Sequence, residues 1–222
     1  MSQTTATVEE YLETIYMMAA ENQVVKGARL AQIMRVSRPT VTSTLRRMSR
    51  DGLIKLNDKK DIALTKKGFQ TAEELQRRHR IVERWLTDVL KLDWAESDAE
   101  AHRLEHAVSE KVVSRLNEML NFPATCPHGN PIPGNPQPSA SKVFPLSQAN
   151  EGARVRVTRL SEYVENAAEM LKHLGEHGVK PGAEIIVSDV SSLHHSFTLQ
   201  LGDKHFALSE QIAQYVWVTA SK

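Results

Sequence analysis

The sequence predicts a mainly α protein with small β elements: a winged helix-turn-helix, a helical middle portion and a small C-terminal β-barrel. Three observations predict it. Two short helical patterns and a basic hairpin follow one another between residues 28 and 65. Seven of the nine prolines fall between Pro123 and Pro145, where helix and sheet interiors are both disfavoured. Beyond them, β-branched runs at residues 153–157, 184–187, 197–201 and 215–218 alternate as strands do, punctuated by Gly152, Gly175, Gly178, Gly182 and Gly202. The expected modules are residues 1–73, residues 74–142 including the Pro-rich linker, and residues 143–222.

Four helical patterns are expected before the hairpin and at least two after it. In residues 28–34 Leu30, Ile33 and Met34 turn inward, and a tight connection leads to a second helix. Ser37 is a good N-cap, and Pro39 is tolerated in the first turn, where its missing N–H costs little. Val41, Leu45 and Met48 repeat at i, i+4 and i+7 and face the core, which leaves Arg38, Thr40, Ser43, Arg46, Arg47 and Arg50 outside. After Gly52 comes a hairpin with Asp58, Lys59, Lys60 and Asp61 at its tip. The second helix of such a unit fits the major groove of DNA, about 12 Å wide. In the barrel, one helix near residues 166–174 is expected between the strands.

A net charge of +1 conceals an asymmetry: residues 26–67 hold twelve Lys/Arg against three Asp. Arg29, Ser37, Arg38, Pro39, Thr40, Ser43, Arg47, Arg50, Lys59 and Lys60 are the expected DNA contacts, Thr40 and Ser43 touching bases or phosphates and Arg47, Arg50, Lys59 and Lys60 mainly phosphate. Cys126 is the only cysteine, which excludes an intramolecular disulfide and a cysteine-based structural zinc site. No basic leader precedes an apolar core, and no apolar run is long enough to span a bilayer, so a cytoplasmic chain without a membrane partner is expected.

His102, Glu105 and His106 stand at i, i+3 and i+4, with Asp98 one turn earlier on the same face, and upstream His79 and Glu83 stand at i and i+4. Nitrogen and oxygen donors on two helices point to a divalent transition metal. The run from His102 to His106 also matches H-x-x-E-H, the signature of an inverted zinc-protease site. A hydrolase would need a further carboxylate ligand and a cleft, for which the winged helix leaves little chain. A metal-independent winged-helix regulator is the other alternative.

The opening residues 9–16, Pro39-Thr40-Val41, Arg47-Met48, Arg50-Asp51-Gly52-Leu53, His79-Arg80, Glu83-Arg84, Glu105-His106 and Gly129-Asn130-Pro131-Ile132-Pro133 together resemble the diphtheria-toxin-repressor family of iron and manganese regulators. The resemblance spans nearly the whole chain. It implies a metal-dependent transcriptional repressor, not an enzyme, which binds a palindromic operator in double-stranded DNA as a homodimer and takes no small organic substrate. It implies a primary site of Glu10, His102, Glu105 and His106, an ancillary site of His79, Glu83 and Asp98, and an SH3-like, FeoA-type barrel adding Glu162 and Glu165. Dimerisation would use apolar positions among Val82, Trp85, Leu86, Val89 and Leu90. Iron-sensing members typically carry Met and Cys where this chain has Glu10 and His102. A primary site without sulfur favours Mn2+, with Fe2+ and Zn2+ as the alternatives.

Overall fold

A computed structural model describes residues 5–137, 142–162 and 167–221. Three helices precede the hairpin: α1 (Ala6–Ala20), α2 (Gly27–Ile33) and α3 (Arg38–Arg50). The expected four are three because the stretch from Val8 to Met18 contains no Gly or Pro and forms one continuous helix. Ser37 caps α3, its side chain accepting from the Thr40 N–H, with Pro39 in the first turn. Strands β1 (Ile54–Leu56) and β2 (Ile62–Leu64) pair antiparallel as the wing. Tyr11, Leu12, Ile15, Leu30, Val41, Met48, Leu53 and Ile54 share one core beneath them.

The long helix α4 (Lys66–Asp88) joins this module to α5 (Trp94–Leu104) and α6 (Glu110–Met119). Its amphipathic pattern sends Ile81 toward Val113 and Ile132, and Val82 and Leu86 toward Ala101. Val82 and Leu86 are therefore consumed inside one chain, which corrects their expected place at a two-fold interface. Val89, Leu90, Val112 and Met119 stay exposed.

The C-terminal unit is an antiparallel six-stranded SH3-like sheet in the order β3-β8-β4-β5-β6-β7. Its members are β3 (Phe144–Pro145), β4 (Arg154–Leu160), β5 (Glu184–Ser191), β6 (Ser196–Leu201), β7 (Lys204–Ser209) and β8 (Val216–Ala220). Register shifts at Val157/Arg159 and Val187/Asp189 bend it around Val155, Val157, Ile185, Val187, Leu199 and Val218. Helix α7 (Ala167–Glu176) lies between β4 and β5, and α8 (Glu210–Ala213) precedes β8. Among the described residues, no helix is long and apolar enough to cross a membrane.

The start of α4 is tightly seated. Thr65 caps it, accepting from the Gly68 N–H at 3.1 Å and donating to the Gly52 carbonyl at 2.7 Å. A Cβ on Gly68 would lie 2.0 Å from the Leu53 carbonyl oxygen, a backbone atom that cannot swing away. Gly68→Ala should therefore destabilise the protein by about 1–3 kcal/mol, the usual cost of overpacking. Urea unfolding checks this, and a variant as stable as wild type would contradict the seating.

Candidate functional site

The middle of the molecule holds two clusters of convergent donors, most of them buried. In the first, His79 Nδ1 lies 2.6 Å from Glu105 Oε2, and His79 Nε2 lies 3.4 Å from Asp98 Oδ1. His102 Nδ1 and His106 Nε2 stand 3.1 and 3.3 Å from Glu105 Oε1. Helix α1 closes the group: Glu9 Oε2 is 2.7 Å from His106 Nδ1, and Glu13 is buried beside Glu105. The second cluster joins Glu83 of α4, Cys126 and His128 of the Pro-rich loop, and Glu162 after β4, with donor atoms within 4.8 Å of one another. His128 Nδ1 is 2.6 Å from Glu83 Oε1 and 3.3 Å from Glu162 Oε1, and the Cys126 thiol donates to Glu162 Oε1 at 3.0 Å.

The loop reaches the second cluster because of Gly129. It has φ +84°, and a Cβ there would lie 2.1 Å from the Thr158 carbonyl oxygen. Leu160 N–H donates to the His128 carbonyl at 2.9 Å, and Asn130 Nδ2 donates to the Leu160 carbonyl at 2.8 Å. Trp94 stacks on His128 with ring centroids 4.9 Å apart.

Of the expected donors, His79 Nε2 lies 4.0 Å from Glu83 Oε2 and 3.4 Å from Asp98 Oδ1. His79 joins His102 and Glu105, whereas Glu83 joins Cys126, His128 and Glu162. The contact with His106 is made by Glu9, and none of these contacts involves Glu10. Helix rotation by one residue, 100°, separates the two carboxylates. Glu165 lies outside the described residues. Cys126, His128, Glu9 and Glu13 were not among the expected donors. Cys126 brings a thiol to the second cluster, and the signal for it was the C-x-H spacing of Cys126 and His128 before Gly129.

Charge is what these clusters have in excess. Burial alone would lower the His79 pKa, but Asp98 and Glu105 hold it well above the ordinary value. Burial would likewise lower His128, and the Glu83 and Glu162 carboxylates hold it well above. Burial and the charge on Glu105 push Glu13 up to about 8. Against its own burial, Glu105 is drawn down to about 2 by His102 and His79, and Glu162 is held well below the carboxylate range by His128 and Arg80. Burial, reinforced by Glu162 and Glu83, keeps the Cys126 thiol well above its usual pKa.

Several of these atoms are buried and make no hydrogen bond: both oxygens of Glu83, Glu162 Oε2, both ring nitrogens of His128, Glu105 Oε1 and His106 Nε2. Buried polar atoms are nearly always satisfied. Imidazole, carboxylate and thiol groups whose ligand atoms converge within 4.8 Å of one another fit a divalent cation at each cluster.

The DNA-facing candidates lie on α3 and the wing. Ser37, Arg38, Pro39, Thr40, Ser43 and Arg50 on α3, and Lys59 and Lys60 at the wing tip, are exposed together. Arg47 is half-buried and reaches Thr5 Oγ1 at 3.4 Å. Arg29 turns instead toward the SH3-like unit, with its guanidinium 3.4 Å from the Tyr215 hydroxyl.

Three family descriptions match consecutive stretches of the chain. "Iron dependent repressor, N-terminal DNA binding domain" covers residues 3–62, "Iron dependent repressor, metal binding and dimerisation domain" residues 65–134, and "FeoA domain" residues 144–220. The chain is 37% identical to the iron-dependent repressor IdeR of Mycobacterium leprae, over 96% of each chain. It is 35% identical to the diphtheria toxin repressor of Corynebacterium efficiens, over 89% of this chain and 91% of that one. A solved manganese-dependent transcriptional repressor in complex with manganese superposes with a TM-score of 0.84 at 27% identity, over 96% of this chain and 100% of that one.

The protonated groups make the metal-free protein sensitive to pH. Glu13 keeps a proton to about pH 8 that the unfolded chain releases near 4.5, so its contribution to stability is full below 4.5 and is lost as pH rises toward 8. His79 and His128, raised above 6.5, act in the same sense above that pH. Glu105 acts oppositely, its contribution being present above 4.5 and lost as pH falls toward 2. The urea midpoint of metal-free protein should fall between pH 4.5 and 8. A midpoint that rises across this interval would refute the protonated clusters.

Proposed function

The chain belongs to the diphtheria-toxin-repressor family of metal-dependent transcriptional repressors, and on that premise we propose that it is a manganese(II)-responsive repressor serving metal homeostasis. It would bind a palindromic operator in double-stranded DNA as a homodimer, with residues 1–73 contacting DNA, residues 74–142 dimerising and holding metal, and residues 143–222 completing the second cluster. The family consists of DNA-binding, dimerising repressors, not enzymes. Val89, Leu90, Val112 and Met119 are the exposed apolar positions of this module that a two-fold interface would cover. Residues 37–40, Ser43, Arg50 and the wing lysines would enter or flank the major groove.

The single observation that carries the reading is the junction of α1 with the first cluster. Glu9 and Glu13 come from the DNA-binding module, whereas His79, His102, Glu105 and His106 come from the middle one. A divalent ion supplies the positive charge that lets these carboxylates face one another without protons. Glu9 and Glu13 then hold α1, and with it α3, at a fixed angle to the dimer helices. Two recognition helices must meet successive major grooves about 34 Å apart, and that angle sets their spacing. At a free ion concentration about 100 times the dissociation constant, one site biases the population by about 2.7 kcal/mol.

Manganese is favoured by the first cluster, whose donors are imidazole nitrogens and carboxylate oxygens without sulfur. The Cys126 thiol in the second favours a softer ion and supports iron(II) as the second reading. Operator binding titrated with manganese, iron and zinc decides between them. Cys126→Ser should leave the manganese response within about threefold while weakening the iron and zinc responses by more than about tenfold. Equal losses for all three ions would remove the case for manganese.

Glu9→Gln and Glu13→Gln should each cut the manganese-induced gain in operator affinity by about tenfold or more, while Glu10→Ala changes stability by less than about 0.5 kcal/mol and leaves the gain intact. Gel-shift titration with and without manganese measures this. An equal gain in wild type, Glu9→Gln and Glu13→Gln would refute the junction.

A further inference from the structure

Helix α1 has a second attachment, at its other end. Glu21, the C-cap residue, keeps only 7% of its side chain exposed, because it is turned into the SH3-like unit. Its Oε1 accepts a hydrogen bond from Ser161 Oγ and lies 3.4 Å from Arg159 Nη1. These partners are themselves fixed. Trp217 Nε1 donates to Ser161 Oγ at 3.1 Å, and the Arg159 guanidinium lies 4.1 Å above the Trp217 ring. The next residue after Ser161 is Glu162, a donor of the second cluster, and Leu160 is stitched to the His128 carbonyl. One four-residue segment thus carries a metal-cluster carboxylate and the groups that grip α1.

We propose that Glu21 is a positioning residue of the metal response, holding the C-terminal end of α1 to the segment that bears Glu162, so that occupancy of the second cluster orients the DNA-binding module. The inference rests on the reading that this cluster takes a metal ion. Mechanically it follows from where the two contacts sit. Glu9 and Glu21 are twelve residues apart, about 18 Å along a helix axis. A helix held at one point can still pivot about it, whereas one held at two points this far apart has a defined direction. The contact is also strong enough to act: a buried, charge-assisted hydrogen bond beside an arginine leaves an uncompensated charge when broken. The remaining direct contact from the winged helix to the SH3-like unit among the polar pairs described, Arg29 to the Tyr215 hydroxyl at 3.4 Å, pairs no opposite charges.

The test uses the full-length protein with manganese as the probe. Wild type, Glu21→Ala, Glu21→Gln and Ser161→Ala are compared for manganese bound per chain, operator affinity without metal, and operator affinity at saturating manganese. All four should bind two ions per chain and match one another without metal. The manganese-induced gain should fall about tenfold in Glu21→Ala, within the usual range of coupling between sites. It should fall less in Ser161→Ala, and Glu21→Gln, which keeps an acceptor for Ser161, should recover part of it. A full gain in Glu21→Ala at two ions per chain overturns the proposal, and if that variant does not fold, a full gain in Ser161→Ala does so. Wild type that binds only one ion per chain overturns the underlying reading of the second cluster instead, and metal content tells the two failures apart.

Discussion

Four carboxylates that water barely reaches, Glu13, Glu83, Glu105 and Glu162, constrain everything around them. Removing one ionised carboxylate from water costs several kcal/mol even after the protein relaxes, so four close together cannot all stay charged without compensation. The metal-free chain compensates with protons on Glu13, His79 and His128 and with the Arg80 guanidinium beside Glu162. Each carboxylate arrives from a different place: α1, α4, the end of α5 and the segment after β4. Docking the modules and neutralising the charge are therefore a single event, and any ligand that replaces the protons acts on both.

Arg80 shows how closely the two clusters are interleaved. It sits on α4 between His79 and Glu83, donates to the Pro131 carbonyl, touches Met17 Sδ at 3.1 Å and lies 3.7 Å from Glu162. One side chain thereby ties α1, α4, the Pro-rich loop and the SH3-like unit. An arginine cannot shed its charge, so it can hold Glu162 in place whether or not the histidine next to it is protonated.

The sequence made the winged helix readable because its signals are local: the cap at Ser37, the proline in the first turn, the i, i+4, i+7 stripe on α3 and the polar tip of the hairpin. The donor residues of α4 and α5 were equally visible as donors. How they divide between sites was not, since i, i+4 spacing places His79 and Glu83 on one face but says nothing of what that face meets. Their short-range partners lie 26 and 45 residues away, in Glu105 and His128, and only the packing of α5 and the loop against α4 brings them in. Cys126 was set aside because one cysteine makes neither a disulfide nor a thiolate cage, yet one thiol among carboxylates and an imidazole is chemically sufficient as a donor. Glu9 and Glu13 were hidden by a finer ambiguity, because neighbouring acids on a helix differ only by rotation.

The seat of Gly68 against the Leu53 carbonyl has a further consequence. With no room for even a methyl group there, α4 is seated directly against the backbone that leads into the wing. The helix has 23 residues, which at 1.5 Å per residue makes an arm of about 35 Å. A swing of about 3° about the far end of such an arm carries the wing through about 2 Å, more than half the length of a hydrogen bond to a phosphate. Sub-ångström adjustments at the carboxylates are thus magnified by leverage, and the gain of the switch is set by the length of one helix and the absence of one methyl group.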